Sequence, residues 1–294
     1  MSLQPTLSFF CHQTWQMQAT VQRLERQDGI FCLITDRSPF HPVSHIWPDH
    51  PADQGQVSST TENWDVTDCQ MGAVCLETDE LFIGKHIPVK RGEEGWIFVV
   101  VHCIRSVGQP CTLAHGDTVT LQVDQDYQLK LSQGHSAGHI AALALNKVLA
   151  AGYWRKQPDR LDTHGFPDFN SYAQHTSQVI PAGCIDVYRL GKTLRKRGLN
   201  HLLLLDELDA IAEKVNQQLS VWLAQKRPIE MNCHGPAITD SRYWHCDLGE
   251  VTPAVIPCGG THVTTTRQLQ QITVSLCQID DQHIEMRTSV TQSV

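Results

Sequence analysis

The chain has 294 residues, 41% apolar, 7% aromatic and 18% charged, with 23 basic against 31 acidic side chains and a formal net charge of −8. These values exclude a disordered or collagen-like chain, and the length predicts two globular domains at about 150 residues each. The negative balance also excludes a protein that coats nucleic acid by bulk electrostatics, so an RNA partner would have to be met by a local basic patch.

In chain order, the first segment, Met1 to Thr20, is broken by Gln4, Ser8, His12 and Gln13 and lacks the apolar run of a signal peptide. Short β-favouring runs follow: Gly29 to Thr35, Ala73 to Leu76, Trp96 to His102 and Thr118 to Val123. Turn chemistry separates them at Asp28-Gly29, Gly92 to Gly95 and His115 to Asp117. The pattern predicts a small N-terminal β domain over 1–125, a barrel or a folded-over sheet. The longest aliphatic-aromatic stretch, Trp96 to Val101, is far too short to span a bilayer, and a soluble cytoplasmic protein without a membrane partner is expected. Eleven cysteines, odd in number, scattered and never spaced Cys-x-x-Cys, predict reduced thiols.

After Asp126 the texture changes, and 126–294 is expected to be an α+β domain. Gly138 to Gly152, rich in Ala and Leu, predicts a helix closed by Gly152. Leu205 to Lys226 predicts a longer amphipathic helix, with Leu208, Ile211, Val215, Leu219 and Trp222 at helical spacing and Pro228 beyond its end. The tail alternates as strands, Ile272, Val274 and Leu276 sharing one face and Ile284 and Met286 another.

Two motifs carry metal chemistry. His135 and His139 stand at i and i+4 at the entrance of the first helix, on one face and about one turn apart, which suits chelation. Cys258-Gly259-Gly260-Thr261-His262 supplies a thiol and an imidazole four positions apart, with glycines that let the backbone curl around an ion. Together they form a Cys-plus-three-His set. Zinc accepts thiolate and neutral imidazole in tetrahedral arrays, whereas calcium and magnesium demand oxygen, so one zinc ion per chain is expected. With sixteen histidines in the chain, a chance His-x-x-x-His is common, and the Cys-Gly-Gly-Thr-His run carries most of the specificity. Cys233-His234 and His245-Cys246 are rival donors, but adjacent side chains on a strand point to opposite faces, and they are expected to be core or surface residues.

The His135/His139 pair followed by Pro257-Cys258-Gly-Gly-Thr-His262-Val263 resembles the editing domain shared by alanyl-tRNA synthetases and the free-standing alanyl-tRNA editing proteins of the AlaX type. The resemblance extends to Phe40-His41-Pro42, His50-Pro51 and Asp53-Gln54-Gly55. It continues through His102, Gly116-Asp117, Val119, Val123-Asp124 and Glu285-Met286-Arg287, so it covers nearly the whole chain. The family's glycine cluster is replaced by Val43 to Asp49, its Arg before the first histidine by Leu131 to Gly134, its Thr by Ser136, and its Thr-Gly-Glu-Ile-Gly by Thr266 to Gln270. These changes leave the metal motifs whole and fall where the substrate would be handled.

The resemblance implies a zinc-dependent hydrolase acting in trans on mischarged tRNA(Ala), seryl or glycyl, with the tRNA acceptor end as partner. Two alternatives stand beside it: a hydrolase of another small acyl ester or amide, and a non-catalytic zinc-stabilised RNA-binding module. Ser136 and Thr261 are candidate catalytic hydroxyls, or else a capping group and a turn group. His45, Trp47 and Asp53 are candidate pocket residues, although Asp53 can equally shape a turn with Gly55 and the Trp47 segment can be an exposed loop. Arg189, Lys192, Arg195, Lys196 and Arg197, flanked by Lys147, Arg155 and Lys156, form a candidate tRNA-binding patch or a solvated surface. No P-loop glycine pattern occurs and the length leaves no room for an aminoacylation module, so ATP-dependent ligation is not expected.

Overall fold

The computed structural model describes residues 3–105 and 111–291, and the chain divides into two compact units. The first comprises Met1–Gln128 with Cys233–Arg242 and Gly259–Thr261; the second comprises Leu129–Asn232, Tyr243–Cys258 and His262–Val294.

The first unit holds β1 (Leu7–Ser8), β2 (Gln16–Gln27), β3 (Ile30–Thr35), β4 (Arg37–Ser38), β5 (Gly55–Ser58), β6 (Asn63–Cys75), β7 (Leu81–Ile83), β8 (Trp96–Ile104) and β9 (Thr118–Val123). Each predicted strand run overlaps one of them, with Gly29 and Leu76 falling just outside β3 and β6. Asp28 and Gly29 form the two-residue β2–β3 hairpin turn with φ of 48° and 84°, the left-handed pair that a tight hairpin twist requires. Seven strands form an antiparallel sheet in the order β5-β9-β2-β3-β8-β6-β7, and β5 also pairs with β6, so the pairings run round in a ring. Strand alternation sorts the side chains onto two faces. Leu33, Phe98 and Val100 join a core with Phe10, Val21, Phe40, Val57 and Leu121, while Cys32, Ile34, Val99 and Val101 form a second cluster.

The second unit opens with most of α1 (Gln125–Ala150), followed by α2 (Phe169–Ala173), β10 (Gln174–Ile180), β11 (Gly183–Arg189), α3 (Lys192–Lys196), α4 (His201–Asp206), α5 (Leu208–Leu223), β12 (Ile229–Cys233), β13 (Arg242–Cys246), β14 (Ala254–Pro257), β15 (Gln271–Gln278) and β16 (His283–Thr291). An antiparallel sheet runs β10-β11-β16-β15, and a smaller one runs β12-β13-β14. Leu145, Leu149, Tyr188, Leu219, Trp222, Trp244, Ile272, Val274, Ile284 and Met286 meet in one core.

Two helices differ from their expected bounds. α1 begins thirteen positions before Gly138 because Asp124 caps it, its carboxylate accepting from Tyr127 N–H at 3.0 Å. Gly134 and Gly138 therefore sit inside the helix and do not open it; each lets α1 press on the β10–β11 hairpin, since an added Cβ at Gly134 would lie 2.3 Å from Gly183 O, and one at Gly138 3.1 Å from Cys184. The predicted helix Leu205–Lys226 is interrupted at Glu207, which has φ −116° and accepts the Tyr153 hydroxyl at 2.5 Å, leaving α4 and α5 as separate elements. No disulfide joins any of the eleven cysteines, all of which lie among the described residues. Among the described residues no helix is long and apolar enough to cross a membrane.

Candidate metal centre

α1 carries His135 and His139 in mid-helix, and the segment after β14 delivers Cys258 and His262, all within the second unit. Their donor atoms lie within 4.8 Å of one another, the only such group of three or more among the described residues. The Cys258 sulfur is the hub: it stands 3.3 Å from His139 Nε2, 3.4 Å from His135 Nε2 and 3.2 Å from His262 Nε2. Zinc–sulfur bonds of about 2.3 Å and zinc–nitrogen bonds of about 2.05 Å give a tetrahedral sulfur-to-nitrogen edge of about 3.5 Å. The observed separations are close to that edge, and the donors are the thiolate and imidazole set that zinc favours, so the residues fit the ion. The rival pairs Cys233-His234 and His245-Cys246 take no part in the group.

Supporting contacts fix the ring that faces the sulfur. Ser136 Oγ lies 3.0 Å from His262 Nδ1 and also accepts the Val263 N–H at 3.2 Å. With Nδ1–H directed at Ser136, His262 Nε2 keeps its lone pair for a metal, the usual arrangement of a ligating imidazole. Trp244, fully buried, sets its ring 5.4 Å from that of His139 and 6.1 Å from that of His262 and forms an apolar wall. Its indole nitrogen is buried without a hydrogen-bond partner. Sequence reasoning missed Trp244; its signal was the strand alternation that buries Arg242, Trp244 and Cys246 together. His135 and His262 are buried, whereas His139 and Cys258 are half-buried, so the group opens on the Cys258 side.

The remaining candidates stand as follows. Thr261, in the first unit, is buried and its hydroxyl lies 3.1 Å from His50 Nε2. Because His50 Nδ1 gives its proton to Pro51 O at 2.8 Å, Nε2 accepts and Thr261 donates. Burial drives His50 down to about 4 and keeps the ring neutral. Asp53 is buried; its Oδ2 accepts His41 N–H at 2.7 Å and Gln128 Nε2 at 2.6 Å, while Oδ1 has no partner. Burial pushes its carboxyl up to about 7. His45 is half-buried against Phe98 with both ring nitrogens unpartnered, and Trp47 is 46% exposed.

Arg189 ends β11, and Lys192, Arg195 and Lys196 project from α3, all four exposed. The Arg197 guanidinium lies 4.7 Å over the Tyr172 ring, and Arg155 donates to Asn200 at 2.8 Å. Lys147 is set apart from this group by its ion pair with Glu250 at 2.5 Å, which occupies its ammonium.

A cysteine and three histidines gathered from a helix and a distant turn make a candidate metal site of the thiolate and imidazole type. No family model matches the chain. It is 24% identical over 186 residues to the alanyl-tRNA editing protein AlaX-M of Pyrococcus horikoshii, covering 63% of this chain and 65% of that protein. It is also 28% identical over 82 residues to the alanine–tRNA ligase of Methanosarcina mazei, covering 28% of this chain and 9% of that protein. The chain thus spans less than two thirds of the length of each of these curated relatives, and its similarity is to an AlaX-type editing protein at modest identity.

Proposed function

We propose that this protein is a zinc-dependent hydrolase that deacylates mischarged tRNA(Ala), carrying serine or glycine, in trans. The observation that carries the reading is the convergence of His135, His139, Cys258 and His262 on one point, in a chain similar to a protein named for alanyl-tRNA editing.

A zinc ion held by these four residues supplies Lewis-acid chemistry to an acyl ester. The chain's own residues do the rest. Ser136 holds the His262 ring in the tautomer that presents Nε2, and Trp244 keeps water from one side of the group. The half-buried Cys258 and His139 mark the side from which a small aminoacyl group approaches. Thr261 hydrogen-bonds His50 within the first unit. The ring of strand pairings in the first unit is read as the small barrel-like N-terminal domain, with the boundary near residue 125. There His45, Trp47 and Asp53 stand in the segments that replace or adjoin the family's glycine cluster and are the proposed determinants of which acyl group is accepted. Arg189, Lys192, Arg195, Lys196 and Arg197 are the proposed contacts to acceptor-stem phosphates, sequence-independent and salt-sensitive. A cytoplasmic enzyme without need of ATP follows from the same reading.

The test is hydrolysis of Ser-, Gly- and Ala-tRNA(Ala) by the full chain, with and without a chelator. Release of serine or glycine that chelation abolishes and zinc restores supports the reading, while full zinc occupancy with no turnover of any of the three overturns it.

The four-donor set favours one second reading, since four protein ligands close a tetrahedral shell as in structural zinc sites. On that reading chelation unfolds the second unit, and the zinc-loaded chain binds tRNA without turning it over.

A further inference from the structure

Within the first unit, the turn at 233–242 is laid against the N-terminal segment by contacts that involve no sulfur. Ser8 N–H donates to Pro236 O at 2.8 Å and Ile238 N–H to Thr6 O at 3.3 Å, while Leu7 and Ala237 form an antiparallel bridge. The buried Arg242 donates to the carbonyls of Ile238, Asp240 and Ala237 and to the Ser8 hydroxyl, with its guanidinium 5.4 Å over the Phe10 ring. Arg91 adds bonds to the Ile238 and Asp240 carbonyls at 2.7 and 2.8 Å. These contacts bring Cys11, the residue after Phe10, to Cys233 at the start of the turn, and the Cys11 thiol donates a hydrogen bond to the Cys233 sulfur. Both cysteines are half-buried, so a small oxidant can reach them.

The surroundings of the Cys233 sulfur set it apart from the buried thiols, while hydrogen bonds from Thr78 lower the Cys75 thiol too. The hydrogen bond from Cys11, with help from the charges of Arg242 and His12, pulls the Cys233 thiol down to about 6 against the opposing effect of burial. Burial instead raises Cys32 to about 11 and Cys103 and Cys246 to about 12, which keeps those thiols protonated and unreactive.

We propose that Cys11 and Cys233 form a reversible dithiol–disulfide pair, with Cys233 as the oxidant-sensing thiolate, Cys11 as the resolving thiol and a hydroperoxide as the oxidant. The Cys233 sulfur attacks one peroxide oxygen, the O–O bond breaks, and the departing hydroxide takes up a proton, leaving a sulfenic acid. The Cys11 sulfur then attacks the Cys233 sulfur. The S–S bond forms, the S–O bond breaks, and the oxygen leaves as water with the Cys11 proton. Two thiols and one hydrogen peroxide thus yield one disulfide and two waters, the thiols oxidised and the peroxide reduced. The product fastens the 233–242 turn to the N-terminal segment covalently, and exchange with an external dithiol releases it.

The test treats the reduced full chain with limiting hydrogen peroxide, blocks the remaining thiols with iodoacetamide, and maps the peptides by mass. Expected is a Cys11–Cys233 linked peptide, about 2 Da lighter than the sum of its reduced parts, that forms ahead of oxidation at Cys75 or Cys277 and disappears with dithiothreitol. In Cys11→Ser, dimedone should trap the sulfenic acid at Cys233; in Cys233→Ser, Cys11 should remain an alkylatable thiol. The proposal is overturned if Cys233 stays alkylatable while Cys75 or Cys277 is oxidised. Passage of Cys233 to the sulfinic acid in the native chain, without a link to Cys11, overturns it equally.

Discussion

The Ser136 hydroxyl and His262 Nδ1 are 3.0 Å apart, and this one contact separates two roles for the serine. If Ser136 acts by orienting His262, then Ser136→Ala leaves the imidazole free to rotate or change tautomer, and zinc affinity should fall about 10- to 100-fold, the usual loss when a ligand's outer partner is removed. Competition with a chromogenic chelator reads this directly. If instead the hydroxyl bonds the substrate, kcat/KM falls while zinc affinity holds. The geometry favours the first outcome, because Ser136 is fully buried and its oxygen already accepts the Val263 N–H. Cys258 is the harsher case. It is the atom common to three close sulfur-to-nitrogen contacts, so Cys258→Ser exchanges the strongest donor for a weak one and should abolish stoichiometric zinc in metal analysis of the purified chain.

At the scale of elements, α1 is the scaffold of the site, and its two interior glycines make a graded prediction. A methyl group at Gly134 would meet the backbone carbonyls of Gly183 and Ile180 at 2.3 and 2.5 Å, atoms that cannot move aside without shifting a strand. One at Gly138 meets only the Cys184 side chain at 3.1 Å. Although alanine favours helix by about 1 kcal/mol over glycine, Gly134→Ala should destabilise the chain by about 2 kcal/mol or more as an overpacked contact, and Gly138→Ala by clearly less. Urea unfolding of both variants gives the ranking, and equal losses would show that α1 is not pressed on the hairpin at Gly134. The same glycines explain what the sequence hid. Strands with turn residues at their ends, such as Ile30–Thr35 after Asp28-Gly29, were legible because alternation and a left-handed turn are local signals. The start of α1 was not, since Gly134 and Gly138 read as breakers until the hairpin against which they pack is known, and the Asp124 cap is one carboxylate among many. The convergence of His135, His139, Cys258 and His262 was legible because a spacing suited to chelation is written in the chain itself, whereas the Trp244 wall and the Ser136 support depend on contacts between segments far apart in sequence.

Over the whole molecule, net charge and buried charge work on different properties. A chain at −8 repels nucleic acid at long range, so tRNA binding through Arg189, Lys192, Arg195 and Lys196 requires that these exposed cations act together at short range. Charge reversal at Arg195 and Lys196 should weaken tRNA binding at least about tenfold in low salt and flatten its salt dependence, and an unchanged affinity would remove α3 from the interface. Stability, by contrast, is governed by titratable groups that folding strips of water. His50 and His102 are driven down to about 4 by burial, and His41 well below its ordinary value, so the native state holds these rings neutral while the unfolded chain protonates them near 6.5. A lowered histidine pKa means fewer protons bound in the native state, and its stabilisation is present above pH 6.5 and lost as pH falls toward 4. Asp53, raised to about 7, works in the opposite sense: its contribution is complete below the ordinary carboxylate range and is lost as pH rises to 7. These three imidazoles, joined by His45 and His201, which are lowered too, outnumber Asp53 and the likewise raised Asp186, so between pH 6.5 and 4 the chain should lose stability on acidification. His102 isolates the effect, since its ring is sealed between Ser38 Oγ at 2.8 Å and Leu33 O at 3.1 Å. His102→Gln replaces a titrating ring by an amide, and its cost relative to the parent chain should shrink by about 2 kcal/mol between pH 7 and pH 5, because over that interval the parent alone absorbs the proton on unfolding. A cost independent of pH in urea titrations at the two values would mean that the His102 ring takes up its proton over the same pH range in the native chain as in the unfolded one, against a burial that leaves it no solvent to stabilise that charge.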